Sequence, residues 1–239
     1  MEEGIRVNKY LAECGICSRR GADELVNSGR VCVDGNVAVM GMKIMPGSYV
    51  TVDGIPIEGR DDKVYLALNK PRGIVCTFEK REKNNVIDFL KYPVRVTYAG
   101  RLDKESQGLL LLTNDGDMID AMMRSRNNHE KEYIVNVHRP VTDAFLYKMS
   151  KGVYIEELDI TTKKCVVERL DERQFKIIIT EGHNRQIRRM CEQFGYHVRK
   201  LVRVRIMNIE LGELPVGEYR ELTTEELSGL KSALGMKLI

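Results

Sequence analysis

The 239-residue chain has no tryptophan, five phenylalanines and four histidines, and aromatic residues make up only 6% of it. Recognition by ring stacking must therefore rest on few residues. No apolar run approaches the 18 or so residues of a membrane span. The N-terminus MEEGIRVNKY has no apolar export core, so a cytoplasmic, membrane-free protein is expected. Six cysteines include only one C-x-x-C pair, Cys14 and Cys17, with no second pair to complete a four-ligand site. The four histidines, at 129, 138, 183 and 197, are too scattered for a metal triad. No G-x-G-x-x-G, P-loop or G-x-S-x-G motif occurs. The expectation is reduced thiols, no metal and no cofactor.

Hydrophobic residues at 43% and charged residues at 31% give an ordinary globular composition with a net charge of +3. The charge is unevenly placed. Residues 1–60 carry 7 Lys/Arg against 8 Asp/Glu, whereas residues 69–104 carry 9 against 4 and residues 180–205 carry 7 against 2. Two strongly basic segments that meet in space suit a polyanion; apart, they are two solvated faces.

The first 60 residues read as a small α-then-β module. Val7, Tyr10, Leu11 and Cys14 recur at helical spacing, and Ser18 caps a second helix with Ala22, Leu25 and Val26 on one face. Alternating strands then turn at Asp34-Gly35 and Asp53-Gly54. The polar stretch 58–63 is the expected linker, so domains are placed at 1–60 and 64–239. Beyond it, strand-like segments dominate: VYLALN, GIVCTF, VTYAG, GLLLLT, EYIVNV, KCVVERL, FKIIIT and VRKLVRVRIMNIEL. Helices are expected over 86–90, 117–123, 143–149 and 184–194, with a Thr223/Glu226 capping box before the last one. Strands and helices do not alternate strictly, so the fold class is α+β with a mixed, largely antiparallel sheet.

Two segments have the composition of a site. In Gly100-Arg101-Leu102-Asp103-Lys104-Glu105-Ser106-Gln107-Gly108, a charged loop leads into an apolar strand, and Asp103 is a candidate nucleophile or base as well as an ordinary turn residue. A glycosidase-like pairing with Glu105, about 7 Å away on an extended segment, stays open. In Gly182 to Gly195, a turn feeds a helix whose opening carries Arg185, Arg188 and Arg189. Cations there oppose the helix dipole, which points to an external anion or a carboxylate partner.

Four motifs in order give these segments a family resemblance. Gly100-Arg101-Leu102-Asp103, Asn69-Lys70-Pro71-Arg72-Gly73, Lys131-Glu132-Tyr133 and Asn184-Arg185-Gln186-Ile187-Arg188-Arg189-Met190, with Leu201-x-Arg203-x-Arg205-Ile206 behind the last, resemble the RsuA/RluB/RluE/RluF group of ribosomal RNA pseudouridine synthases. The stretch Asn128 to Tyr133 and the run Arg188 to Ile206 lean toward the F branch, which modifies large-subunit (23S) rRNA. Residues 5–50, with Ser18-Arg19-Arg20, resemble the small RNA-binding domain first seen in ribosomal protein S-four. The resemblance implies isomerisation of uridine to pseudouridine without a cofactor. It implies Asp103 as catalyst, Arg188 pairing with and aiming it, and Tyr133 stacking on the uracil and helping to remove its C5 proton. It also implies RNA contacts from Arg101, Arg185, Arg189, Arg19, Arg20 and Lys70. The expected partner of this monomer is large-subunit rRNA. A tRNA substrate and a catalytically silent assembly protein are the alternatives.

Overall fold

The computed structural model describes residues 4–59, 62–124 and 129–236. Asn128 of the F-like stretch and residues 60–61 of the expected linker lie outside them. The chain forms two compact units, Met1–Val64 with Pro93–Arg95 and Asn114–Gly116, and the remainder.

The first unit opens with β1 (Ile5–Arg6), α1 (Val7–Glu13) and α2 (Arg19–Asn27). Short strands follow: β2 (Val31–Val33), β3 (Asn36–Val37), β4 (Lys43–Ile44), β5 (Val50–Val52) and β6 (Ile55–Ile57). The Ser18 hydroxyl caps α2 by accepting from the Gly21 amide at 3.0 Å. Asp34 and Asp53 adopt the positive φ that two-residue hairpin turns demand. Val7, Leu11, Ala22, Val26, Val31 and Val50 close the core of this unit.

The second unit contains β7 (Tyr65–Lys70), α3 (Val86–Leu90), β8 (Thr97–Tyr98), β9 (Gln107–Thr113), α4 (Gly116–Met123) and β10 (Lys131–Val137). It continues through α5 (Asp143–Ser150), β11 (Tyr154–Ile155), β12 (Ile160–Thr161), β13 (Val166–Asp171), β14 (Gln174–Ile179) and α6 (Gln186–Glu192). It closes with β15 (Val198–Ile206), β16 (Ile209–Glu210), β17 (Tyr219–Glu221) and α7 (Thr224–Ala233), the last carrying the expected capping box. One sheet runs β13-β14-β10-β15-β9-β7-β17, with β16 on β15 and β8 on β9. Every pairing is antiparallel except β15 with β9. This is the α+β mixed sheet that the segment order implied.

Two expectations are corrected. GIVCTF is not a strand; only Val75 makes a single bridge, to Asn85. Gly73 turns at φ +88° and the Lys70 ammonium takes the carbonyls of Pro71 and Ile74, which curls the segment away from a ladder. The helix expected from 184 begins at Gln186, because Arg185 adopts a left-handed φ of 53°. The one parallel pairing depends on Gly108, at φ +112°; a Cβ there would sit 2.3 Å from the Arg203 carbonyl oxygen. That close approach sets β15 against β9 directly after the Asp103 loop.

Candidate active site

A cleft of about 560 Å³ opens in the second unit, lined by the Asp103 loop, the end of α4, the start of β10, the β14–α6 turn and part of β15. Arg101, Lys104, Arg124, Lys131, Arg185 and Arg203 line it, against Asp103 and Glu181 as the only carboxylates among its lining residues. The two basic segments of the sequence therefore meet, and the cleft is electropositive.

Asp103 is half-buried in this wall, and among the described residues its carboxylate has neither hydrogen bond nor ion pair within 4.0 Å. Its loop is fixed from behind. The Ser106 amide donates to the Asp103 carbonyl at 3.0 Å, and the Gly73 amide to the Lys104 carbonyl at 2.8 Å. Arg188, 6% exposed, donates through Nη2 to the Glu105 carbonyl at 2.9 Å and through Nη1 to the Val198 carbonyl at 3.2 Å. The direct Arg188–Asp103 pair implied by the family resemblance is thus not made in this structure; the guanidinium grips the loop backbone instead. Burial, with Arg185 nearby, pulls Arg188 below its ordinary value, and the Asp103 charge opposes that shift.

Tyr133 lies buried on β10, lines the cleft, and is the cross-strand neighbour of both Ile177 and Arg203. Arg101 and Arg185 are exposed on the rim. Arg189 is not in the cleft: it is held by Glu157 at 3.3 Å and the Asn184 carbonyl at 3.1 Å. Arg19 and Arg20 are exposed on α2 of the first unit.

Lys70 is the clearest departure from expectation. It is fully buried, so it makes no surface contact with RNA, and its ammonium donates at 2.8 Å to both Pro71 and Ile74 carbonyls. Burial pushes it down to about 8, with Arg203 adding to the effect and the nearby Cys76, Asp103 and Glu105 opposing it. The unfolded lysine titrates near 10.5. Between those values the unfolded chain holds a proton that the folded chain has released, so this group's contribution to stability rises with pH from about 8 to 10.5 and is unfavourable below. We expect the melting temperature of wild type to gain on that of Lys70→Met between pH 7 and 10. Parallel curves for the two proteins would refute this assignment.

Several residues to which the sequence reading assigned no role belong to the site. Glu181, whose side chain is 12% exposed, accepts from Gln186 Nε2 at 2.7 Å and the Lys163 amide at 2.9 Å, and lies 3.5 Å from His183 Nε2. Its partners are not the arginines of the turn, of which Arg189 pairs with Glu157 instead; its place directly before that turn was the available signal. Arg203 is 3% exposed and donates to the carbonyls of Leu109 at 2.7 Å and Arg101 at 3.4 Å. Lys131 donates to the His129 carbonyl, and burial lowers it, aided by Arg203 and opposed by Glu181. An arginine alternating with valines in a strand gives no sign of which way it points.

An electropositive cleft on a mixed sheet, with an aspartate that is unpaired among the described residues on a loop clamped from behind, defines a class of protein with a surface suited to a polyanion. The RNA pseudouridylate synthase family model matches residues 64–193, and an S4 domain model matches residues 5–39. The dual-specificity RNA pseudouridine synthase RluF of Escherichia coli is 49% identical over 96% of this chain and 79% of its own length. The ribosomal large subunit pseudouridine synthase B of Bacillus subtilis is 36% identical over 95% of this chain and 96% of its own. A crystal structure of a pseudouridylate synthase superposes with a TM-score of 0.69 at 29% identity, covering 95% of this chain and 99% of that one. The chain belongs to the RNA pseudouridylate synthase family, in the RsuA/RluB/RluE/RluF group and on its RluF branch.

Proposed function

We propose that this protein isomerises uridine to pseudouridine in large-subunit ribosomal RNA, with Asp103 as the catalytic carboxylate. The observation that carries the reading is Asp103 itself: an unpaired carboxylate in a cleft lined by six Lys and Arg side chains. The reaction moves the sugar bond from base N1 to base C5. The proton lost at C5 is balanced by the one gained at N1, so no co-reactant is consumed. The target nucleotide must leave its stack, which costs a few kcal/mol, and contacts between the cleft cations and phosphates offset that cost. Tyr133 offers its ring to the flipped base and its hydroxyl for the C5 proton. Arg188 acts through the loop backbone as a positioning residue. Pseudouridine mapped in rRNA from cells with and without the protein tests the reading; identical maps for both would overturn it. The name of the E. coli relative includes a dual specificity, which favours a second RNA substrate; tRNA is the candidate, and the same maps made on tRNA decide it.

The cations of the cleft predict a salt dependence. Each neutralised phosphate adds roughly −0.7 to −0.9 to the slope of log affinity against log salt. Arg185→Gln is expected to flatten that slope by about one contact, whereas Arg189→Gln, already paired with Glu157, is expected to change it much less. Binding of rRNA fragments across potassium chloride concentrations measures both; equal flattening by the two variants would contradict this division.

Residues 1–60 are proposed to serve as an RNA-anchoring domain, with Arg19 and Arg20 on its helix α2. Residues 64–239 expressed alone are expected to melt cooperatively and to bind rRNA more weakly than the full chain. Failure of that fragment to fold would make the two parts one cooperative domain.

A further inference from the structure

Among the described residues, two nitrogen atoms in the wall of the cleft have no partner. His129 Nε2 and Arg203 Nη2 are buried without a hydrogen bond. The residues are 7% and 3% exposed, and both line the cleft that holds Asp103. A buried polar atom left unpaired is costly, and such an atom in a folded protein calls for a missing partner.

What each atom can do follows from what its own side chain already does. His129 Nδ1 lies 3.0 Å from the Met122 carbonyl oxygen. A carbonyl only accepts, so Nδ1 carries the ring proton, and in the neutral imidazole Nε2 is left as an acceptor. Arg203 uses Nε and Nη1 on the Leu109 and Arg101 carbonyls, which leaves Nη2 as a donor. Register places Arg203 beside Tyr133 on the neighbouring strand, and His129 lies two residues before the start of the strand that carries Tyr133. The wall thus offers one acceptor and one donor next to an aromatic ring.

Uracil presents a matching edge, with a ring N3–H flanked by two carbonyl oxygens. We propose, resting on the uridine-isomerising reading above, that His129 and Arg203 recognise the base: His129 Nε2 accepts from N3–H, and Arg203 Nη2 donates to an adjoining carbonyl. Cytosine reverses the pattern at two of these positions, with a bare N3 and an amine in place of O4. It would set acceptor against acceptor and leave the arginine without one of its oxygens. A site that hydrogen-bonds a polar edge rejects the wrong edge strongly, because its own buried groups are then unpaired. Asp103 breaks and makes bonds, whereas these two residues determine which base it meets.

The test is a functional-group cycle on a synthetic stem-loop that reproduces the mapped target, carrying either uridine or 3-methyluridine, which lacks N3–H. Wild type is expected to lose about 10- to 100-fold in kcat/KM on the methylated substrate. His129→Ala is expected to be slower on uridine and to lose little more on 3-methyluridine, since the partner of N3–H is already gone. His129→Gln, which keeps a side-chain carbonyl as acceptor, is expected to restore most of the discrimination, a result that separates recognition from simple support of the fold. Arg203 is probed from the substrate side with 2-thiouridine and 4-thiouridine, because sulfur is the poorer acceptor, and one of the two is expected to slow wild type. The same penalty for 3-methyluridine in wild type and His129→Ala overturns the role of His129, and indifference to both thio analogues overturns that of Arg203. Neither outcome touches the functional reading, which fails separately if wild type forms no pseudouridine in the unmodified RNA.

Discussion

Replacing Asp103 with Asn is expected to reduce pseudouridine formation to background while leaving RNA affinity within about threefold. The side chain is half-buried and makes no hydrogen bond or ion pair that holds the fold among the described residues, so Asn fits the same space and orphans nothing. Its melting temperature should stay close to that of wild type, as for a substitution away from any structural network. What the variant loses is the charge, and with it the only unpaired carboxylate in the cleft wall; Glu181, the other one, is held by Gln186 and the Lys163 amide. Single-turnover assays on rRNA, paired with a binding titration, separate the two effects. Residual turnover within about tenfold of wild type would move catalysis to another group.

Arg188→Ala is expected to damage both activity and stability, and for one reason. Its buried guanidinium serves the Glu105 and Val198 carbonyls, and removing it takes that donor from both. Each lost hydrogen bond from this charged donor costs about 1.5–3 kcal/mol. The same loss releases the Glu105 end of the loop that carries Asp103. A displacement of about 1 Å at a reacting group costs on the order of 100-fold in rate. Arg188→Lys keeps the charge but supplies one compact ammonium in place of a fork, so it should satisfy one carbonyl and fall between the two. Calorimetry and turnover measured on both variants check this. Wild-type melting together with wild-type turnover in Arg188→Ala would show that the clamp is idle.

The local elements follow from local chemistry, and the sequence determined them. Asp34-Gly35 and Asp53-Gly54 sit in hairpin turns because Asp and Gly tolerate positive φ, and Ser18 and Thr223 start helices because their hydroxyls accept orphaned amides. The resemblance to the family rests on four motifs in order, and that resemblance is what singles out Asp103 from an ordinary turn residue. Tertiary structure decided what charge and hydropathy cannot encode. Lys70 reads as a surface cation, yet it is fully buried, because two carbonyls of its own loop stand in for water. Arg188 is implied by the resemblance as the partner of Asp103, yet its guanidinium donates to the Glu105 and Val198 carbonyls, which only the approach of the loop and β15 to α6 brings within reach. Arg185 and Arg189 are equivalent in composition, and the tertiary structure separates them: Arg185 lines the cleft, whereas Arg189 is held by Glu157, distant in the chain. Glu181, His129 and Arg203 become site residues only when β10, β15 and the β14–α6 turn converge on the Asp103 loop. Burial and pairing are properties of that convergence, and a linear pattern records neither.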